Sequence, residues 1–233
     1  LTATGNGTLD LAVHVPLGEA SAVTYNGVYR LNQVGVALPA AGVDMAALSG
    51  EVQFSEIGIN AGKLTGTVLG GATTIEAARH NGILDVEARG QAQPQEWLHA
   101  QWPAVAARLS GVVPGSLVWR ERAGLGEWRA ELDATALKAR LPAPLDRPDG
   151  LLNSKLVIQT KEAKPDTQIL DVRGDGLAGR LDFARTQNRW HLARGFFDFG
   201  VTRAKAARSN GVHVAAGINR LDLKTWLSLF AGR

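Results

Sequence analysis

Cysteine is absent from the 233 residues, which removes disulfides, thiolate nucleophiles and Cys-type zinc sites together and leaves the redox compartment open. Long apolar runs are missing as well: no stretch reaches the roughly 18 residues that a membrane-crossing helix needs, and no signal-peptide pattern opens the chain. Charge of one sign is scarce. A net charge of +3 permits weak attraction to anionic surfaces but falls far short of the concentrated basic patch that nucleic-acid binding demands, so no nucleic-acid partner is expected. Aromatic residues are only 6% of the chain, too few to fill a thick core. The sequence starts at Leu1, without Met, inside what already reads as the approach to a strand, and is therefore expected to be an excerpt of something longer.

Catalytic motifs are also lacking. There is no nucleophile elbow, and Ser116 in PGSLVW precedes a strand rather than a helix. His14, His80, His99, His191 and His213 lie apart, with no HxxH or HExxH spacing, so no metal is expected. Asp171 with Asp175, and Asp146 with Asp149, read as solvated carboxylates at strand ends or in a proline loop rather than as acid/base pairs. Gly174, Gly176 and Gly179 spell GxGxxG after an apolar strand, but the pyrophosphate mechanism requires a helix immediately afterwards. The residues that follow alternate like a strand, which makes the motif a tight turn between antiparallel strands. No cofactor and no catalytic residue is expected.

What the chain does have is alternation. Thr8 to Val15 sets Leu9, Leu11 and Val13 on one face and Asp10 and His14 on the other, a half-buried strand ended by Pro16. Asn26-Gly27 and Gly35 divide Ser21 to Leu38 into short strands and give a hairpin signal. Leu48 to Phe54, Lys63 to Leu69, Thr73 to Ala77 and Ile83 to Gly90 continue a meander, the last with Leu84 and Val86 on its apolar face. Near Gln95 the period lengthens to that of a helix carrying Trp97, Leu98 and Trp102, which Pro103 should kink or split. Strands resume at Ser116 to Arg122 and Glu127 to Asp133, with Trp119 and Trp128 as cross-strand aromatics. LPAPLDRPDG (Leu141 to Gly150) is a proline-rich breaker. Beyond it come strands bearing Leu156, Ile158, Leu170, Val172, Leu181 and Phe183, then a last helix with Asp222 as its N-cap.

The chain also echoes itself. AARHNG…WL (Ala77 to Leu98) and AARSNG…WL (Ala206 to Leu227) place an Asn-Gly turn and a Trp-Leu pair at the same offset. This predicts a first unit over residues 1–115 and a second over 116–233, each ending in a Trp-bearing helix with Trp97 or Trp226 as packing anchor, or else one continuous domain with the loop 141–150 inside it. The expected fold is mainly β: a long twisted antiparallel sheet, or sheets, forming a repeating β-groove or open sandwich with two or three short helices. One-sided strands of this kind must close, pair, be covered, or leave a lined groove. A hydrocarbon chain suits such a groove, because each buried methylene contributes about 0.8 kcal/mol without asking for a polar partner.

GNGTLDLAVHVPL, GVYRLNQVGVALP, LSGEVQFSEIGINAGKLTGTVLGG, LPAPLDRP, GLAGRLDF with RWHLARGFFDFG, and INRLDLKTWLSLF together resemble the AsmA-like superfamily, in particular the YhdP branch of large bacterial envelope proteins. The resemblance runs across essentially the whole chain, with LPAPLDRP and LDLKTWLSLF as its more specific parts. It implies a repeating β-groove protein of the periplasm, its parent anchored in the inner membrane by an N-terminal helix. The implied role is carrying phospholipid between inner and outer membranes, next to neighbouring repeats of the same parent chain and other envelope proteins. It implies no catalytic residue.

The groove candidates therefore come from alternation alone: Leu9, Leu11, Val13, Leu84, Val86, Leu156, Ile158, Leu170, Val172, Leu181 and Phe183. The basic cluster Arg203, Lys205 and Arg208 is the candidate for contact with phosphate head groups, where each basic residue near an anionic surface contributes about 1 kcal/mol. A structural β scaffold for other envelope proteins is the rival reading, and an enzyme acting on envelope substrates is a third.

Overall fold

In the computed structural model the described residues are 2–16, 22–38, 43–99, 103–122, 125–142, 146–147, 155–186, 189–199, 211–216, 222, 224, 225 and 227. Period-2 patterning has become strand pairing through nearly all of them. In chain order these strands are β1 (Thr2–His14), β2 (Thr24–Leu38), β3 (Val43–Ser55), β4 (Gly58–Val68), β5 (Gly71–His80) and β6 (Ile83–Ala92). Two short helices follow, α1 (Pro94–His99) and α2 (Pro103–Ala106). Next are β7 (Leu109–Ser110), β8 (Val113–Arg122), β9 (Leu125–Asp133), β10 (Lys138–Arg140) and β11 (Asp146–Arg147). The chain then adds β12 (Lys155–Lys164), β13 (Thr167–Gly174), β14 (Leu177–Thr186), β15 (Arg189–Phe199) and β16 (Gly211–Ala216).

Thirteen of these strands make one open sheet, β1-β2-β3-β4-β5-β6-β8-β9-β12-β13-β14-β15-β16, while β11-β10-β7 form a small separate one. The large sheet is antiparallel except at its last step, where β16 runs parallel to β15. The expected unit boundary at 115/116 falls inside β8, and the sheet passes through it in register with β6 on one side and β9 on the other.

Turn chemistry explains the tight hairpins. Asn81 (φ 52°) and Gly82 (φ 77°) form the two-residue β5–β6 connection, both in the left-handed region that a type I′ turn requires. The GxGxxG stretch is a hairpin, with Gly174 opposite Leu177 and Gly176 at φ 64° in the turn. Asn26-Gly27, however, is no turn. It lies within the unbroken strand β2, where Gly27 stands between Leu11 of β1 and Phe54 of β3. The glycine is there for space: a Cβ on it would come within 2.6 Å of Phe54 Cζ.

The strands that follow the two echoed Asn-Gly pairs are paired differently. Asn81-Gly82 closes an antiparallel hairpin, whereas Gly211 opens a strand parallel to its neighbour. Residues 206–210, Trp226 and the Trp97 side chain lie outside the described residues. The helical stripe near Gln95 is split as Pro103 predicts, with Pro103 opening α2, where a missing N–H costs nothing. Asp222 caps the last helical turn: its Oδ1 accepts from the Thr225 N–H at 3.0 Å. Part of the proline-rich stretch folds back, Asp146 and Arg147 pairing with Arg140 and Ala139. Residues 143–145 and 148–150 lie outside the described residues.

Register also sorts the connections. Two-residue links β3–β4, β5–β6, β8–β9, β12–β13 and β14–β15 all fall at one end of the strands, hereafter the turn end. The helix pair and the small sheet lie in the β6–β8 and β9–β12 connections at the opposite end. There the Gln93 N–H reaches the Leu69 carbonyl at 2.9 Å and ties the helix entrance to the β4–β5 turn.

Candidate functional site

Cross-strand partners lie on the same face of a sheet, so register alone traces a face from strand to strand. One row runs Leu9, Tyr29, Val52, Gly62, Ala77, Val86, Trp119, Trp128 from β1 to β9. Two residues along β9, on the same face, Ala130 continues it through Ile158, Val172, Gly179, Phe197 and Val214 to β16. The face is apolar across all thirteen strands. Leu9, Leu11, Val13, Leu84, Val86, Leu156, Ile158, Leu170, Val172, Leu181 and Phe183 all lie on it.

Their burial is uneven. Leu84, Leu170 and Val172 are buried, at 5–6% exposure, and Val86, Leu156, Ile158, Leu181 and Phe183 are partly covered. The β1 residues are not half-buried as alternation suggested: Leu9, Leu11 and Val13 are 51–55% exposed, because β1 is an edge strand, paired on one side only among the described residues. At the opposite edge Val212 and Val214 are exposed too. The described helices pack on each other and on β7 rather than across this face.

Alternation missed what floors the face. Several of its glycines lie beneath a neighbouring strand's large side chain: Gly7 under Tyr29, Gly27 under Phe54, Gly126 under Trp119 and Gly179 under Phe197. Aliphatic versions recur, with Leu48 over Gly66 and Leu132 over Gly115. Rings laid over glycines leave low relief, since the side chains lie down instead of standing up. The signal was available as glycine in phase with the apolar positions of neighbouring strands, but it needs the register to be read. Trp119 and Trp128 do stand directly opposite one another.

The other face carries the ion pairs. Arg30 bonds Asp10 and reaches Glu51 at 3.2 Å, Lys63 meets Glu76 at 2.8 Å, and Arg120 meets Asp85 at 2.6 Å. Hydrogen bonding to Glu76 holds the Lys63 ammonium above the usual lysine range, and the same bond holds Glu76 below the carboxylate range. Such exposed pairs are screened by water and salt and add little to stability. Two carboxylates are different. Asp171, read from sequence as a solvated strand-end carboxylate, is buried mid-strand in β13 with Arg173 at 3.3 Å. Asp182 is buried between Arg180 at 2.8 Å and Arg194 at 2.6 Å. Burial pushes the Asp182 carboxyl upward, but the two guanidinium bonds outweigh it, and the group is held below its ordinary range.

Among the described residues no three His, Asp or Glu side chains gather as a metal site, and no helix is long and apolar enough to cross a membrane. Arg203, Lys205 and Arg208 lie outside the described residues. Neither a curated protein nor a solved structure gives a match to the chain. The family model described as YhdP protein matches residues 1–232, and with its apolar face carried across one open sheet, the chain belongs to the YhdP family.

Proposed function

We propose that this chain is a non-enzymatic segment of a periplasmic YhdP-type protein whose apolar face holds phospholipid acyl chains and passes them along the sheet between inner and outer membranes. The observation that carries the reading is the single apolar face running through thirteen strands with exposed aliphatic residues at both edges. An apolar face of that extent is an association or ligand surface. Acyl chains match it chemically: burial stabilises by about 0.8 kcal/mol per methylene, and no step requires a fixed polar partner, so the guest slides. The low relief of the glycine floors suits a ligand that moves along the sheet rather than one that docks at a point. Neighbouring repeats of the parent chain would extend the surface, with the parent anchored in the inner membrane.

Native mass spectrometry of the chain purified under mild conditions tests this, together with photo-crosslinkers at Val86 and Ile158. Co-purified phospholipid and lipid adducts at both positions are expected. A lipid-free chain whose probes at these positions crosslink only to its own strands would overturn the reading in favour of a β scaffold for envelope proteins.

A further inference from the structure

Among the described residues the apolar face is free of charge over its length except at one border. Register places Arg79, Glu121 and Arg185 on that face, Arg79 and Glu121 both opposite Leu84 and Arg185 two residues beyond Phe183. Each stands two residues from a connection at the turn end of the sheet. No charged residue occupies the apolar face at the helix-bearing end among the described strands. The face thus has one charged lip.

Arg79 is the built part of that lip. Its Nε donates to the Ile59 carbonyl at 2.8 Å, and its Nη1 reaches the Gly82 carbonyl at 3.4 Å. These contacts fix the guanidinium between the start of β4 and the β5–β6 turn and leave Nη2 without a partner among the described residues. A guanidinium held this way is preorganised for a phosphate oxygen, and less side-chain freedom remains to be lost on binding. Trp119 marks the same boundary. Its indole crosses Gly126, the partner of Glu121, with Nε1 nearest that glycine, so an apolar body lies on the face and a polar edge faces the lip.

We infer that Arg79 is a contact for the phosphate of an amphiphile whose hydrocarbon tails lie on the apolar face, so that the polar head rides along the turn-end lip. This rests on the acyl-chain reading above and adds to it which end of the strands the head group occupies and which side chain receives it.

The test uses the whole chain with a photo-crosslinker at Val86, one step along β6 from Leu84, and two probes with the same acyl chains: phosphatidylethanolamine and diacylglycerol, which has no phosphate. The wild-type chain is expected to capture the phospholipid roughly tenfold better, the size of one charge-assisted hydrogen bond. Arg79→Gln is expected to abolish that preference while still capturing diacylglycerol. Because Arg79 also bonds the Ile59 and Gly82 carbonyls, Arg79→Lys is run beside it and is expected to keep part of the preference. Equal capture of the two lipids by the wild type, or a preference that survives Arg79→Gln, overturns the head-group contact and leaves the acyl-chain reading standing. Capture of neither lipid overturns both. Binding of inorganic phosphate alone in calorimetry, with no lipid preference, would assign Arg79 to a free anion and overturn the inference.

Discussion

The indole of Trp119 lies across Gly126 so closely that a Cβ at position 126 would come within 2.5 Å of Trp119 Nε1. This pairs a large ring on β8 with the absence of a side chain on β9, and the same arrangement joins Tyr29 to Gly7, Phe54 to Gly27 and Phe197 to Gly179.

Gly126→Ala is accordingly expected to destabilise by about 1–3 kcal/mol through overpacking, and Trp119→Leu to recover most of that loss in the double variant. Urea denaturation of the two single variants and the double variant measures the coupling. Additive effects would show that the ring does not depend on the glycine beneath it.

Leu69 stands at φ 52° in the β4–β5 turn, a conformation that costs an ordinary L-residue about 1 kcal/mol. Leu69→Asn is expected to stabilise the chain by a comparable amount, seen as a raised midpoint with an unchanged urea slope. A lower midpoint would mean that the leucine side chain contributes more than its backbone costs.

The Asp182 carboxyl, held low by Arg180 and Arg194 against the upward push of burial, contributes stability that is present above the ordinary Asp value of 3.8. That contribution is lost as pH falls through the still lower folded value. Asp182→Asn should therefore be less stable than wild type near neutrality, and the gap should narrow as pH drops below about 4. Urea midpoints across that range read the effect, and a gap independent of pH would refute the ionic origin.

Amide hydrogen exchange should follow position in the sheet. Amides of β6, β8, β9 and β12, paired on both sides, are expected to exchange more slowly than those of β1 and β16, each paired on one side only among the described residues. Protection of the outer edge of β1 equal to that of β8 would show that something covers this edge in solution.

The apolar face was legible in sequence because period-2 patterning is a local property. Leu84 and Val86, or Leu170 and Val172, declare a common face within a few residues, and the register then carries them onto one surface. What stayed hidden is non-local. Asn26-Gly27 has the composition of a hairpin turn, and only Phe54 arriving from β3 shows that the glycine makes room for a ring. Asp171 lies near a glycine-rich turn in sequence, yet its burial depends on neighbouring strands. The Asn-Gly echo is a likeness of short segments, and it cannot say whether the following strand returns or, as at β16, runs alongside. Arg79 escaped notice because it looks like the solvated end of a strand. Its role as a lip residue follows from sharing a face with Leu84.

Alternation of side chains fixes a face but is blind to a slip of two residues, which returns every apolar position to the same side. The ring-over-glycine pairs remove that ambiguity. Sliding β2 along β1 by two residues would set Tyr29 opposite Leu11 or Gly7 and take its ring off Gly7, onto Leu9 in the first case. Each such pair works as a notch that admits one alignment, so the same residues that flatten the surface also set the count between the strands they join.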